Sequence, residues 1–141
     1  MNLIRTIPSL TLEAARQLVA SATAEALARG QNIAVAVVDQ QGALLAFERM
    51  DGVPAPIVEF SIDKAYTAAV TGAPTKDFFE HINSSESLRL GLLSRPRLLV
   101  WGGGMPARAE GNVVGGIGVS GGPEDDDMAI AAAALAAATL A

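Results

Sequence analysis

The sequence predicts an α+β domain built on a mainly antiparallel sheet. Two β-rich runs, 33–38 and 43–49, flank the turn Asp39-Gln40-Gln41-Gly42 and read as a hairpin. A later group of short β-rich runs is likewise separated by tight glycine turns. Segments with apolar residues at helical spacing stand at both ends of the chain and in its middle. Hairpin connections make neighbouring strands antiparallel, and helices at these places can cover the sheet. The length of 141 residues suits one domain spanning 1–141, large enough to bury its own core.

The elements follow in order. Thr11 offers an N-cap and Glu13 an acid in the first turn of a helix over 12–29, which Gly30 stops. The hairpin of 33–38 and 43–49 comes next and ends at Met50-Asp51-Gly52. Pro54 and Pro56 mark a loop, because proline cannot donate to a central ladder. A second helix runs over 57–70 to Gly72, and Thr75 can cap a short one over 76–82. One more helical turn fits 85–91. Residues 97–101 read as a third strand, 107–110 as a fourth and 113–120 as a fifth, with 102–106 turning the chain. The acids 124–127 open a last helix reaching about residue 140, where carboxylates favour the positive end of the helix dipole.

Composition narrows the function classes. There is no cysteine, so disulfides, thiolate metal sites and cysteine nucleophiles are excluded, as suits a cytoplasmic setting. The net charge of −5 has no basic stripe to offset it, which argues against nucleic acid or an anionic membrane surface as partner. The one long apolar run, 128–141, is too short and too alanine-rich to span a bilayer, and residues 1–5 hold no apolar segment of signal-peptide length.

Glycine is dense between 102 and 122, and two catalytic patterns can be spelled there. Residues 116–121 match the dinucleotide fingerprint G-x-G-x-x-G, but only a helix follows and no second strand completes the unit. Residues 118–122 match the nucleophile elbow G-x-S-x-G, yet no histidine follows Ser120. Both matches are accidents of glycine content, and this stretch reads instead as a pocket wall whose backbone meets a ligand.

Several side chains could carry chemistry. Lys64 sits among Ala65, Ala68 and Ala69, where partial burial would lower its pKa. Tyr66 stands two residues on, and His81 is the sole histidine, a natural choice for acid–base work or axial ligation. Arg49, at the end of the second strand, could pair with a ligand carboxylate. Asp39 and Glu48 are further proton-transfer candidates. The acids Asp125, Asp126 and Asp127 point in different directions from a helix, so they cannot chelate one ion, and no metal site is expected.

The order of these pieces resembles the GlcG/HbpS family. The blocks that carry the resemblance are LTLEAA at 10–15, AVAVVD at 34–39, GALLAFERMDG at 42–52 and DKAYTAA at 63–69. They continue with PT at 74–75, GGGMP at 102–106, GGIGVSG at 115–121 and DMAIA at 127–131. The resemblance implies a profilin-like, five-stranded, mainly antiparallel sheet with packed helices, in a homo-oligomer. It also implies a small-molecule-binding protein, with haem or another tetrapyrrole as ligand. The family includes haem-binding and haem-degrading sensors, the C-terminal domain of PduO-type proteins and a protein encoded with glycolate utilisation. Some members are linked to haem or iron through a first-helix histidine, which this chain lacks. Iron ligation here would fall to Tyr66, His81, Met105 or another subunit, with Phe47, Phe60, Phe78, Phe79 and Trp101 available to line a porphyrin. The pocket is expected at Lys64, Gly103, Gly104, Met105, Gly118, Ser120 and Gly121. Two alternatives stand beside this reading. One is a cofactor-independent isomerase, lyase or hydrolase acting on a small carbonyl or carboxylate compound, with Lys64, Tyr66 or His81 as catalytic groups. The other is an oligomeric accessory module using the alanine-rich last helix.

Overall fold

In the computed structural model, which describes residues 1–92 and 94–140, four antiparallel strands form a sheet in the order β2-β1-β4-β3. They are β1 (Ala34–Asp39), β2 (Leu44–Arg49), β3 (Gly104–Ala109) and β4 (Asn112–Ser120). The helices are α1 (Leu12–Ala28), α2 (Pro56–Thr71), α3 (Thr75–Ile82), α4 (Glu86–Leu92) and α5 (Glu124–Ala137). None is long and apolar enough to cross a membrane.

Local chemistry sets most boundaries. Thr11 Oγ1 accepts the Ala14 N–H at 3.1 Å and starts α1. Pro56 opens α2, and Gly72 ends it in the left-handed conformation. Asp39 Oδ1 accepts from the N–H groups of Gln41 and Ala43, both at 2.9 Å, and folds the β1–β2 turn. Glu110 and Gly111 both take positive φ between the paired residues Ala109 and Asn112, the turn that suits the twist of a two-residue hairpin.

Alternation along β1 and β4 gives the sheet two different faces. Val35, Val37, Ile117 and Val119 point into the larger core, which α1 and α5 cover with Leu18, Ala22, Ile130 and Ala134. Ala36 and Val38 point the other way, against Ala65 and Ala69 of α2. Gly118 and Gly116 pair with Ala36 and Val38 on that second face. A Cβ on Gly118 would overlap the Ser61 carbonyl and sit 2.5 Å from the Ala65 nitrogen. The missing side chains let the backbone of α2 lie directly on the sheet.

Three expectations are corrected. The sheet has four strands, not five, because residues 97–101 form no strand. Their backbone polar groups are met by a side chain instead: Thr67 Oγ1 donates to the Arg97 carbonyl and accepts from the Leu99 N–H, both at 3.0 Å. The expected turn at 102–106 contributes its second half to β3, where Pro106 is tolerated on an edge strand. Thr75 does not cap α3 through its hydroxyl. That buried hydroxyl donates to the Trp101 carbonyl at 2.6 Å and accepts from the Gly104 N–H at 3.0 Å.

Candidate functional site

Lys64 projects from the middle of α2 toward the end of β4. Its ammonium donates to the Val119 carbonyl at 2.9 Å and to Asp127 Oδ2 at 3.3 Å. Asp127 lies in the first turn of α5, and its other oxygen accepts the Gly122 N–H at 3.0 Å. Each residue retains only 2% of its exposure. A Cβ at Gly103 would stand 3.0 Å from the Lys64 nitrogen, so glycine there leaves the ammonium its room.

Burial governs the electrostatics of this pair. Desolvation pushes the Lys64 pKa down, and Asp127 beside it only partly restores the charged form. Desolvation pushes Asp127 up to about 6, against the opposing pull of Lys64 and the Gly122 hydrogen bond. Both groups are thus biased toward their neutral forms relative to water.

A pocket of about 270 Å³ opens over the pair. Its walls include Ile57, Phe60, Trp101, Ser120, Gly121 and Glu124. The rings of Phe60 and Trp101 meet edge to face with centroids 5.0 Å apart. Glu124 is held by Lys76 at 3.0 Å, so Lys64, Asp127 and Glu124 all have charge partners. An ammonium carries three donors, of which Lys64 gives two to the protein. Among the described residues nothing takes the third, which is open to a ligand oxygen.

The structure gathers some of the candidate residues and scatters others. Lys64, Ser120 and Gly121 line this pocket, and Gly103 lies beside the lysine nitrogen. Gly104 packs beneath α2 and Thr75, and Gly118 beneath Ser61 and Ala65, so both serve close backbone approach. Met105 packs into the core under α1 and α5. Tyr66 lies against Gly42 with the Arg97 guanidinium 3.8 Å from its ring centre. His81 is exposed near the end of α3. Arg49 lines a separate surface cavity with Thr23, Asn32 and Met50. Asp39 is occupied by its turn, and Glu48 accepts from Thr23 Oγ1 at 3.0 Å. Among the described residues no cluster of three or more His, Asp or Glu side chains is placed to hold a metal.

Sequence reasoning missed Asp127, reading it only as a charge at a helix start. One signal marked it: Asp127, Ile130, Ala131 and Ala134 share the buried face of α5 at helical spacing.

Comparison with known proteins adds the family context. The family model described as haem degrading protein HbpS-like matches residues 10–136. Protein GlcG of Escherichia coli strain K12 is 36% identical over 112 residues, covering 79% of this chain and 81% of its own. The crystal structure of HbpS superposes with a TM-score of 0.87 at 35% identity, covering 95% of this chain and 93% of that one. A PduOC–haem complex gives a TM-score of 0.85 at 26% identity, covering 94% of this chain and 97% of that one.

Proposed function

The chain belongs to the HbpS-like family, and on that premise we propose that it is a small-molecule-binding protein whose ligand sits against Lys64. The observation that carries this reading is the buried Lys64 ammonium, two of whose donors are used inside the protein while the residue lines a pocket. A ligand oxygen accepting the third donor would complete it. The matched charges favour a neutral polar ligand over an anion, and the Phe60 and Trp101 rings offer it an apolar wall. A homo-oligomer belongs to the same proposal, in line with the family resemblance.

A tetrapyrrole is the second reading, supported by likeness to the PduOC–haem complex. The Lys64 pocket itself does not fit haem. Tyr66, His81 and Met105, the ligand candidates from the sequence, all lie outside its lining, and the Lys64, Asp127 and Glu124 groups within it are engaged in ion pairs. Its volume of about 270 Å³ also falls below the range of about 300–1,000 Å³ usual for sites taking drug-sized ligands. Haem would then bind elsewhere on the chain or with a ligand from another subunit.

Native mass spectrometry of freshly purified protein tests both readings. A compact ligand carried by the wild type and absent from Lys64→Met supports the pocket; the same ligand retained by the variant overturns it. Haem titration of the two proteins gives the complementary result. A Soret shift that depends on Lys64 would contradict the exclusion of haem from this pocket. A Soret shift of equal size in both proteins supports the second reading, and no shift in either sinks it.

A further inference from the structure

We propose that Lys64 is a carbonyl-reactive lysine that forms an imine with small neutral aldehydes or ketones entering alongside the packed Trp101–Phe60 pair, with Asp127 as its proton donor. The inference rests on the reading of the Lys64 pocket as a ligand site and deepens it by naming the ligand class.

The geometry supplies the parts that such chemistry needs. The nucleophile is the Lys64 nitrogen, and the acid Asp127 Oδ2 lies 3.3 Å from it. The Val119 carbonyl, at 2.9 Å, orients the nitrogen, and the glycine at 103 keeps its flank open. No net charge in the lining selects for an anionic substrate, because Glu124 is already paired with Lys76. An aromatic wall beside a compact volume suits a short aliphatic or a small aromatic aldehyde. The pair rests as an ion pair, and burial favours passing one proton from Lys64 to Asp127, which gives the amine and carboxylic acid from which attack begins.

The step balances without any further reagent. The neutral amine attacks the carbonyl carbon, a C–N bond forms, and one nitrogen proton passes to the oxygen to give a carbinolamine. Asp127 in its acid form then protonates the hydroxyl. The C–O bond breaks, water leaves, and the nitrogen lone pair completes the protonated imine. The resulting cation stands beside the Asp127 carboxylate, so the site ends with an ion pair like the one it holds in the free protein.

The chain contains only two lysines, which makes the test direct. Lys76 is half-buried, with its side chain 42% accessible and paired with Glu124, and serves as the internal control. The full-length protein is incubated with butanal or benzaldehyde and sodium cyanoborohydride at neutral pH, and the adduct is located by peptide mapping. Alkylation of Lys64 at least about tenfold faster than of Lys76 is expected: burial disfavours the Lys64 ammonium, Glu124 favours the charged form of Lys76, and a positioned proton donor is worth about 100-fold or more. Asp127→Asn should slow the Lys64 adduct by about 100-fold, the lower range for loss of a positioned proton donor. Equal labelling of both lysines and the N-terminal amine would overturn the inference.

Binding without reductant, followed by Trp101 fluorescence, separates the two levels of the argument. Aldehyde that quenches Trp101 but gives no Lys64 adduct sinks the imine and leaves the pocket as a ligand site. Aldehyde that neither quenches nor reacts removes this ligand class and counts against the pocket reading as well.

Discussion

The hydroxyl of Thr75 bridges the two ends of the turn that precedes β3, donating to the Trp101 carbonyl and accepting from the Gly104 N–H. It therefore sets where Trp101 stands as a wall of the Lys64 pocket. Thr75→Val keeps the shape but removes both hydrogen bonds and strands two backbone groups. A loss of about 2–6 kcal/mol is expected, at about 1–3 kcal/mol for each stranded group. Chemical denaturation measures it, and an unchanged midpoint would show that the bridge is idle.

The Lys64–Asp127 pair should behave as a unit. Asp127→Ala leaves a buried ammonium without its counter-charge and is expected to cost about 3–5 kcal/mol. Adding Lys64→Met should recover much of that loss, because the second change removes the stranded charge. A double-mutant cycle on denaturation midpoints reads the coupling, and strictly additive losses would contradict it.

Asp127 also predicts a specific pH dependence. Its folded pKa of about 6 lies above the ordinary 3.8, so between these values the folded state holds more protons than the unfolded chain. Its contribution is fully present below pH 3.8 and is lost as the pH rises through about 6. The shift corresponds to about 3 kcal/mol. The stability of the wild type relative to Asp127→Asn should therefore fall by that order between about pH 3 and about pH 7, values that lie outside the window on both sides. Carboxyl carbon NMR should show the Asp127 midpoint near pH 6, and a midpoint near 4 would refute the assignment.

Gly118 offers a steric test. Its Cβ would collide with backbone atoms of α2, which cannot move aside as a flexible side chain can. Gly118→Ala should cost about 1–3 kcal/mol or more and shift α2. Gly91→Ala, where a Cβ meets open space in α4, is expected to be neutral or to stabilise by about 0.5–1 kcal/mol. Equal effects at the two positions would disprove the close approach of helix and sheet.

Much of the scaffold was legible because its signals are local. The Thr11 cap, the Asp39 turn and the left-handed Gly72 each act within a few residues. The missing fifth strand was not legible, because Thr67 satisfies the backbone at 97 and 99 from about thirty residues away. Burial of Lys64 could be inferred from its small neighbours, but its partner Asp127 stands 63 residues on, among three other acids. The four acids differ in orientation more than in type, and only the one on the apolar face of α5 turns inward. Residue chemistry alone marks Tyr66, His81 and Arg49 as candidates, and the fold sets them apart from the Lys64 pocket.

The reach of Lys64 has a mechanical consequence. The side chain leaves the helix on one face of the sheet, passes the end of β4, and meets a helix anchored on the other face. The two outer layers are thereby riveted beyond the strand ends. Amide hydrogen exchange in α2 and α5 should then report one shared opening event, and severing the rivet should let the layers exchange on separate clocks.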